Sequence, residues 1–258
     1  MLSYQHAYHA GNPADLHKHA VLAALVARLT AKPRGITVME SHAGRGLYRL
    51  DAPEAVKTGE AARGIGRATP PGGPLRRAIE TVRTAHGPAA YPGSPLVAAA
   101  LLRPQDRLAL CELHPAEHAA LKAAMRGTGA AIHRRDGHEG LPALCPPKPR
   151  RGLALIDPSY EVKDEYMRAA ETALAVLGKW PEGVVLLWYP LLPEGRHAAL
   201  LDRIARARAP RLLHEVAFAE APRRGMTGSG LVLLNPPYGA EALIGEALEG
   251  LGAVLRPG

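Results

Sequence analysis

Cysteine is nearly absent: Cys111 and Cys145 are the only two in 258 residues. They lie too far apart in the chain for a disulfide framework or a paired metal-ligand motif. No apolar run approaches the roughly 18 residues that a membrane span needs. The opening M-L-S-Y-Q-H-A-Y-H lacks the basic end and apolar centre of a signal peptide, so a soluble, cytoplasmic chain is expected. Acid is scarce beside base. Twenty-four Asp and Glu stand against 32 Lys and Arg, a formal net charge of +8 and a pI near 9.7. That balance favours a polyanionic partner, RNA or DNA, without choosing between them. Apolar side chains are plentiful, 47% of residues, enough for one large core, which excludes a disordered protein.

Hydrophobic periodicity and turn signals alternate along the chain. Asn12 or Asp15 can cap a helix that runs to about Thr30, where K-P-R-G stops it. A buried strand, I-T-V-M-E, feeds the glycine turn S-H-A-G-R-G-L-Y. Residues 50–90 differ in composition and read as two short basic helices joined by a Pro/Gly loop. After them Y-P-G-S-P opens another helix, and R-L-A-L-C-E is the second strand of the main series. Helix and strand then alternate through A-A-I-H-R-R-D, L-A-L-I-D, G-V-V-L-L-W-Y, L-L-H-E-V-A-F-A and L-V-L-L-N to a closing helix. This alternation predicts a mostly parallel sheet with helices on both faces.

In such sheets ligands bind outside the carboxyl ends of the strands. Glu40, Glu112, Asp136 and Asp157 end the first four predicted strands. Together with the G-x-G of Gly44 and Gly46, they point to a nucleoside-type ligand, with the glycines allowing close backbone approach and Glu112 taking ribose hydroxyls. In a dinucleotide fold the ribose acid follows the glycines by about 20 residues. Glu112 lies much further on, and excising residues 50–90 brings the spacing close to that value, so the segment reads as an insertion. H-A-G-R-G is not a full G-x-G-x-x-G and no G-K-[ST] follows it, which argues against a pyrophosphate and for a nucleoside without phosphates. S-adenosylmethionine meets that description.

Two tetrapeptides compete as the reactive motif: D-P-S-Y from Asp157 to Tyr160, and N-P-P-Y from Asn235 to Tyr238. The first resembles the Asp-Pro-Pro-Tyr-like motif of methyltransferases acting on exocyclic amino groups of bases. An adenine amine is a poor nucleophile because its lone pair is delocalised into the ring. A carboxylate and a backbone carbonyl that accept both amine hydrogens favour a pyramidal nitrogen and free that pair, while a Tyr ring stacks on the flipped base. The parts are Asp157, Pro158 and Tyr160. N-P-P-Y follows a later strand, outside the series of acidic ends, and reads as a turn.

More narrowly, M-L-S-Y-x-H-x-Y-H-A-G-N-x-A-D-x-x-K-H, S-H-A-G-R-G-x-Y, Y-P-G-S-P, E-L-H-P, W-Y-P and R-R-G-M-T-G-S-G together resemble the RlmJ family of 23S ribosomal RNA adenine-N6 methyltransferases, in order and over almost the whole chain. The resemblance implies a Rossmann-like class I methyltransferase domain over residues 1–258, with an N-terminal helical motif in residues 1–30 and an inserted helical subdomain in residues 50–90. It implies S-adenosylmethionine as methyl donor and one adenine of free or early-assembly 23S rRNA as acceptor. Carried over by position, His19, His42, Ser94, Glu112, Asp136 and Gly137 would contact the cofactor. Asp157, with Pro158 and Tyr160, would be catalytic; Tyr4 would meet the RNA, and Lys18 would contact adenosine or phosphate. Two departures stand out: Ser159 where a second proline is common, and Glu40 where Asp is usual.

Plainer readings compete for several of these residues. His6, His9, His17 and His19 crowd the N-terminus, but no Cys or Glu is interleaved and no metal is expected. Arg63, Arg67, Arg76, Arg77 and Arg83 in the insertion form either a solvated face or a phosphate-binding one. Three rival functions remain beside the rRNA reading: a DNA adenine-N6 methyltransferase, a non-catalytic nucleic-acid-binding protein linked to DNA uptake or use, and a metal-dependent nucleic-acid hydrolase acting through the N-terminal histidines. A monomer without membrane attachment is expected.

Overall fold

The computed structural model describes residues 5–258 apart from Thr69, Pro71, Lys163, Arg223 and Arg224. Tyr4, expected to meet RNA, lies outside the described residues, as do the two arginines that open R-R-G-M-T-G-S-G.

Helix α1 (Pro13–Thr30) begins where the Asn12 side chain accepts a hydrogen bond from the Asp15 backbone N–H at 2.8 Å, with Pro13 preset at the first helical position. It is buried on almost every side, as expected of a helix inside the core rather than on it. The strands and helices that follow are β1 (Thr37–Glu40), β2 (Leu47–Arg49), α2 (Pro53–Thr58), α3 (Glu60–Arg63), α4 (Gly73–His86), β3 (Ala90–Pro92), α5 (Ser94–Ala99), β4 (Arg107–Cys111) and α6 (Pro115–Ala124). Then come β5 (Ala131–His133), α7 (Gly137–Ala143), β6 (Gly152–Ile156), α8 (Glu165–Lys179), β7 (Val184–Leu191), α9 (His197–Ala205), β8 (Arg211–Phe218), β9 (Gly228–Leu234), α10 (Ala240–Leu248) and β10 (Leu255–Pro257).

Eight strands form one sheet in the order β10-β8-β9-β7-β6-β1-β4-β5. The run from β7 to β5 is parallel, and β9 and β10 run against their neighbours. Strands β1 and β6 are buried at every position, because helices cover both faces. Helices α1, α4, α5 and α10 pack together on one side, and α7, α8 and α9 on the other. Each fully buried Leu or Ile of β6 contributes roughly 1.5–3 kcal/mol, so the strand that carries D-P-S-Y is anchored by the core itself.

The chain order reverses between β1 and β6, making their carboxyl ends the crevice in which an open α/β sheet takes its ligand. Three strands were not legible in the sequence. The closing strand β10 pairs with β8, and β2 and β3 pair as a separate antiparallel ribbon. That ribbon brings the ends of the basic segment together, and among the described residues the segment holds three helices, α2 to α4, rather than two. Among the described residues no helix is long and apolar enough to cross a membrane.

Candidate active site

A cavity of about 370 Å³ opens at the carboxyl ends of the parallel strands, within the range of small-molecule sites. His19, His42, Ser94, Glu112, Asp136, Gly137, Asp157, Pro158, Tyr160 and Lys18 all line it. Ten of the eleven residues singled out in the sequence therefore converge on one space. Glu40 ends β1 fully buried, just behind the lining.

Each strand end fixes its acid differently. Glu112, directly after β4, accepts the backbone N–H of Gly44 and of His114, both at 2.8 Å. Burial pushes its carboxyl up. Gly44 sits at φ 61° and Gly46 at φ 75°, left-handed conformations that glycine adopts without strain. Asp136 caps α7 through the His138 N–H at 2.8 Å and accepts from Arg168 at 3.1 Å. Burial opposes its ionisation, but these bonds outweigh it and hold the carboxyl below its ordinary value. At Gly137 a Cβ would stand 1.8 Å from the Ser41 carbonyl oxygen, so only glycine lets the chain cross there.

Two imidazoles face the cavity in the neutral form. Burial, opposed mainly by Asp15, lowers His19 to about 3, and its Nδ1 lies 3.1 Å from the Tyr91 hydroxyl. Burial and the neighbouring His138 lower His42 to about 4. Ser94, at the start of α5, donates to Glu40 Oε2 at 2.8 Å. Glu40 Oε1 is buried without a hydrogen-bond partner, and burial pushes that carboxyl up to about 8.

The D-P-S-Y loop leaves β6 beside α1. The Asp157 N–H donates to Ser41 Oγ at 3.3 Å, and Asp157 Oδ2 accepts from Lys18 Nζ at 2.6 Å. Lys18 also lies 3.2 Å from Asp15 Oδ1 and 5.4 Å from the Trp188 ring centroid. Its ammonium, expected to meet adenosine or phosphate, is thus held between two carboxylates with its side chain 6% exposed. Pro158 is buried. Tyr160 adopts φ 57°, its hydroxyl donates to the Trp188 carbonyl at 2.5 Å, and its ring packs 4.5 Å from that of Tyr166 and 5.7 Å from that of Trp188.

The N-terminal histidines turn to separate partners. His6 meets Asp15, His9 meets Glu60, and His17 bridges Ser229 and His214. Three other groups, His42, His138 and Glu165, bring ligand-type atoms within 4.8 Å of one another. Sequence reasoning missed two participants, Asp15 as a shared acceptor and Glu165 behind the D-P-S-Y loop. The first had a signal: Asp15, Lys18 and His19 stand at i, i+3 and i+4, on one helix face.

N-P-P-Y is elsewhere. Strand β9 runs antiparallel to β7, with Gly228 opposite Leu191 and Leu234 opposite Val185. Its carboxyl end is therefore at the far edge of the sheet. There Asn235 Nδ2 donates to the carbonyls of Pro181 and Gly183 at 2.6 and 3.0 Å, and Tyr238 is 95% exposed. The amino end of β9 is the one that reaches the cavity, where Met226 contributes to the lining.

Residues 33–257 match the family model described as ribosomal RNA large subunit methyltransferase D, RlmJ. The chain is 35% identical over 267 residues to ribosomal RNA large subunit methyltransferase J of Escherichia coli, covering all of this chain and 95% of that protein. It is 36% identical over 268 residues to the protein of the same name from Haemophilus influenzae, with the same coverage. A crystal structure of a Legionella pneumophila protein superposes with a TM-score of 0.84 at 32% identity, covering 97% of this chain and 98% of that one. Matched along nearly its whole length in sequence and in architecture, the chain belongs to the RlmJ family of ribosomal RNA large subunit methyltransferases, with a Rossmann-like class I fold.

Proposed function

We propose that this protein transfers a methyl group from S-adenosylmethionine to the exocyclic N6 of an adenine in 23S rRNA. The observation that carries the reading is the placement of Asp157: at the carboxyl end of β6, on the cavity, beside Glu112 and Asp136 and paired with Lys18.

The cavity's chemistry suits the cofactor. Glu112, oriented by two backbone donors, offers acceptors to ribose hydroxyls. Asp136 and Gly137 form a close turn for the adenine end, and neutral His19 and His42 line the walls without adding charge. When bound, S-adenosylmethionine supplies an electrophilic sulfonium methyl. Lys18 occupies Asp157 Oδ2 and supplies its counter-charge, which leaves Oδ1 for the target amine. Oδ1 and the Pro158 carbonyl accept the two amine hydrogens, the nitrogen becomes pyramidal, and its lone pair is freed for in-line attack. Oδ1 is also placed to take the proton that the amine releases. Tyr160 and Trp188 form the aromatic wall against which a flipped base would rest.

An adenine can enter such a cavity only when unstacked, which favours free or early-assembly rRNA. Residues 50–90 form the inserted subdomain in this reading, and their arginines offer a phosphate-binding face. The test is methyl transfer from labelled cofactor to unmodified 23S rRNA and to DNA, with nucleoside analysis. N6-methyladenosine in rRNA from wild type, lost in Asp157→Ala with cofactor affinity unchanged, is expected. Transfer to DNA alone would favour the DNA rival, and unchanged turnover in Asp157→Ala would remove that residue from the chemistry.

A further inference from the structure

Besides the pairing of Asp157 with Lys18, three hydrogen bonds hold the D-P-S-Y loop. Two involve a backbone atom: the Asp157 N–H on Ser41 Oγ, and the Tyr160 hydroxyl on the Trp188 carbonyl. The third joins two side chains: Ser159 Oγ donates to Glu165 Oε2 at 3.3 Å. The loop needs that third hold. It places a tyrosine at φ 57°, a region L-residues avoid. N-P-P-Y, which has Asn235 at φ 51°, has a proline ring at the position where D-P-S-Y has Ser159. Proline fixes φ covalently, and serine does not.

Glu165 is the first residue of α8 and is buried. With Arg168 and Thr172 it makes one face of that helix, at i, i+3 and i+7. Arg168 bonds Asp136, and Thr172 Oγ1 lies 2.8 Å from His138 Nδ1. The Thr172 proton goes to the Arg168 carbonyl at 2.7 Å, so at His138 this hydroxyl can only accept, and Nδ1 carries the hydrogen. His138 Nε2 lies 3.8 Å from Glu165 Oε1, beyond hydrogen-bond distance. That Nε2 is buried without a hydrogen-bond partner. The side-chain hydrogen bond within 3.5 Å that Glu165 accepts is the one from Ser159.

We propose that Glu165 is a positioning residue for methyl transfer: through Ser159 it fixes the D-P-S-Y loop to the α8 face that also holds Asp136 and His138, setting Asp157 against the cofactor end of the cavity. The Ser159–Glu165 link takes over the work of a second proline. The inference rests on Asp157 being the catalytic acceptor.

The experiment is single-variant and double-variant kinetics on rRNA, with Asp157→Ala alongside. Ser159→Ala and Glu165→Ala each lower kcat roughly tenfold, the scale of a hydrogen bond to a charged group, with KM for the cofactor within about twofold. Glu165→Gln, which keeps an acceptor, retains most turnover. Ser159→Pro makes Glu165 dispensable, so Glu165→Ala costs little in that background. Equal losses from Glu165→Ala in both backgrounds, or a shift in Tm with kcat unchanged in Ser159→Ala, would overturn the inference alone. Wild-type turnover in Asp157→Ala would overturn the reading beneath it, and the inference with it.

Discussion

Lys18 Nζ lies 2.6 Å from Asp157 Oδ2 and 3.2 Å from Asp15 Oδ1, joining the first helix to the loop after β6 across 139 positions of sequence. Burial alone would push the amine down, but Asp157 and Asp15 outweigh it and hold Lys18 above its ordinary value. Removing one member of a buried ion pair leaves a charge without compensation, at a cost of about 3–5 kcal/mol. Lys18→Met is therefore expected to lose stability on that scale and to lose methylation. Lys18→Met/Asp157→Asn regains part of the stability and none of the activity. Urea unfolding beside labelled methyl transfer checks both, and a Lys18→Met protein within about 1 kcal/mol of wild type would mean the pair is incidental.

Asn235 gives the opposite pattern. Its amide holds two loop carbonyls at the far edge of the sheet, and its φ of 51° is one that Asn tolerates and Ala does not. Asn235→Ala is expected to cost about 1–3 kcal/mol and to methylate at the wild-type rate per folded molecule. A rate that falls while stability holds would return N-P-P-Y to consideration.

The acids of the cavity were legible because each is tied to one strand, and the carboxyl ends of parallel strands share an edge. Four such ends and a glycine turn needed no long-range information. Direction along the sheet did: β9 resembles β6 in composition, and only its antiparallel pairing shows that Asn235 points away. The pairings of Lys18 with Asp157 and of His17 with Ser229 cross most of the chain, and no local pattern encodes them. The ribbon of β2 and β3 escaped notice because three-residue strands carry too little periodicity to register. Ser159 was visible as a departure, but its bond to Glu165 required the loop's path.

The arginines of residues 50–90 divide once their partners are known. Arg67 pairs with Glu220 and Arg76 with Glu80, in exposed pairs that hold little energy. Arg83 donates to the Ala90 carbonyl at 3.3 Å and stabilises the base of the ribbon. Arg77 and Arg63 are exposed, and Arg63 donates to the Thr58 carbonyl at 3.3 Å. Arg63→Gln/Arg77→Gln is expected to flatten the slope of log binding constant against log salt by about 0.7–0.9 for each RNA phosphate that is no longer neutralised. Fluorescence titration of an rRNA fragment at several salt concentrations measures it, and an unchanged slope would make this a solvated face.

Glu40 sets a pH dependence whose sign is opposite to that of the buried histidines. Its carboxyl stands near 8 in the fold against 4.5 for a free side chain, chiefly through burial. Below 4.5 it is protonated whether the chain is folded or not, and it contributes nothing. Between 4.5 and 8 only the unfolded chain ionises, so stability falls by about 1.4 kcal/mol per pH unit at most, and above 8 the loss is complete. His17 and His19, lowered to about 3, and His42, lowered to about 4, act the other way. They are neutral in the fold, so their contribution is complete above 6.5 and is lost as pH falls toward those values. Glu40→Gln leaves all three histidines in place, and the difference between wild type and variant isolates the one carboxyl. That difference is expected to move steadily in the variant's favour from about pH 5 to 8 and then to stop changing, as read from urea midpoints. A difference constant across the range would mean that Glu40 is ionised in the fold, and that the orphaned oxygen behind Ser94 carries a charge the cavity must balance.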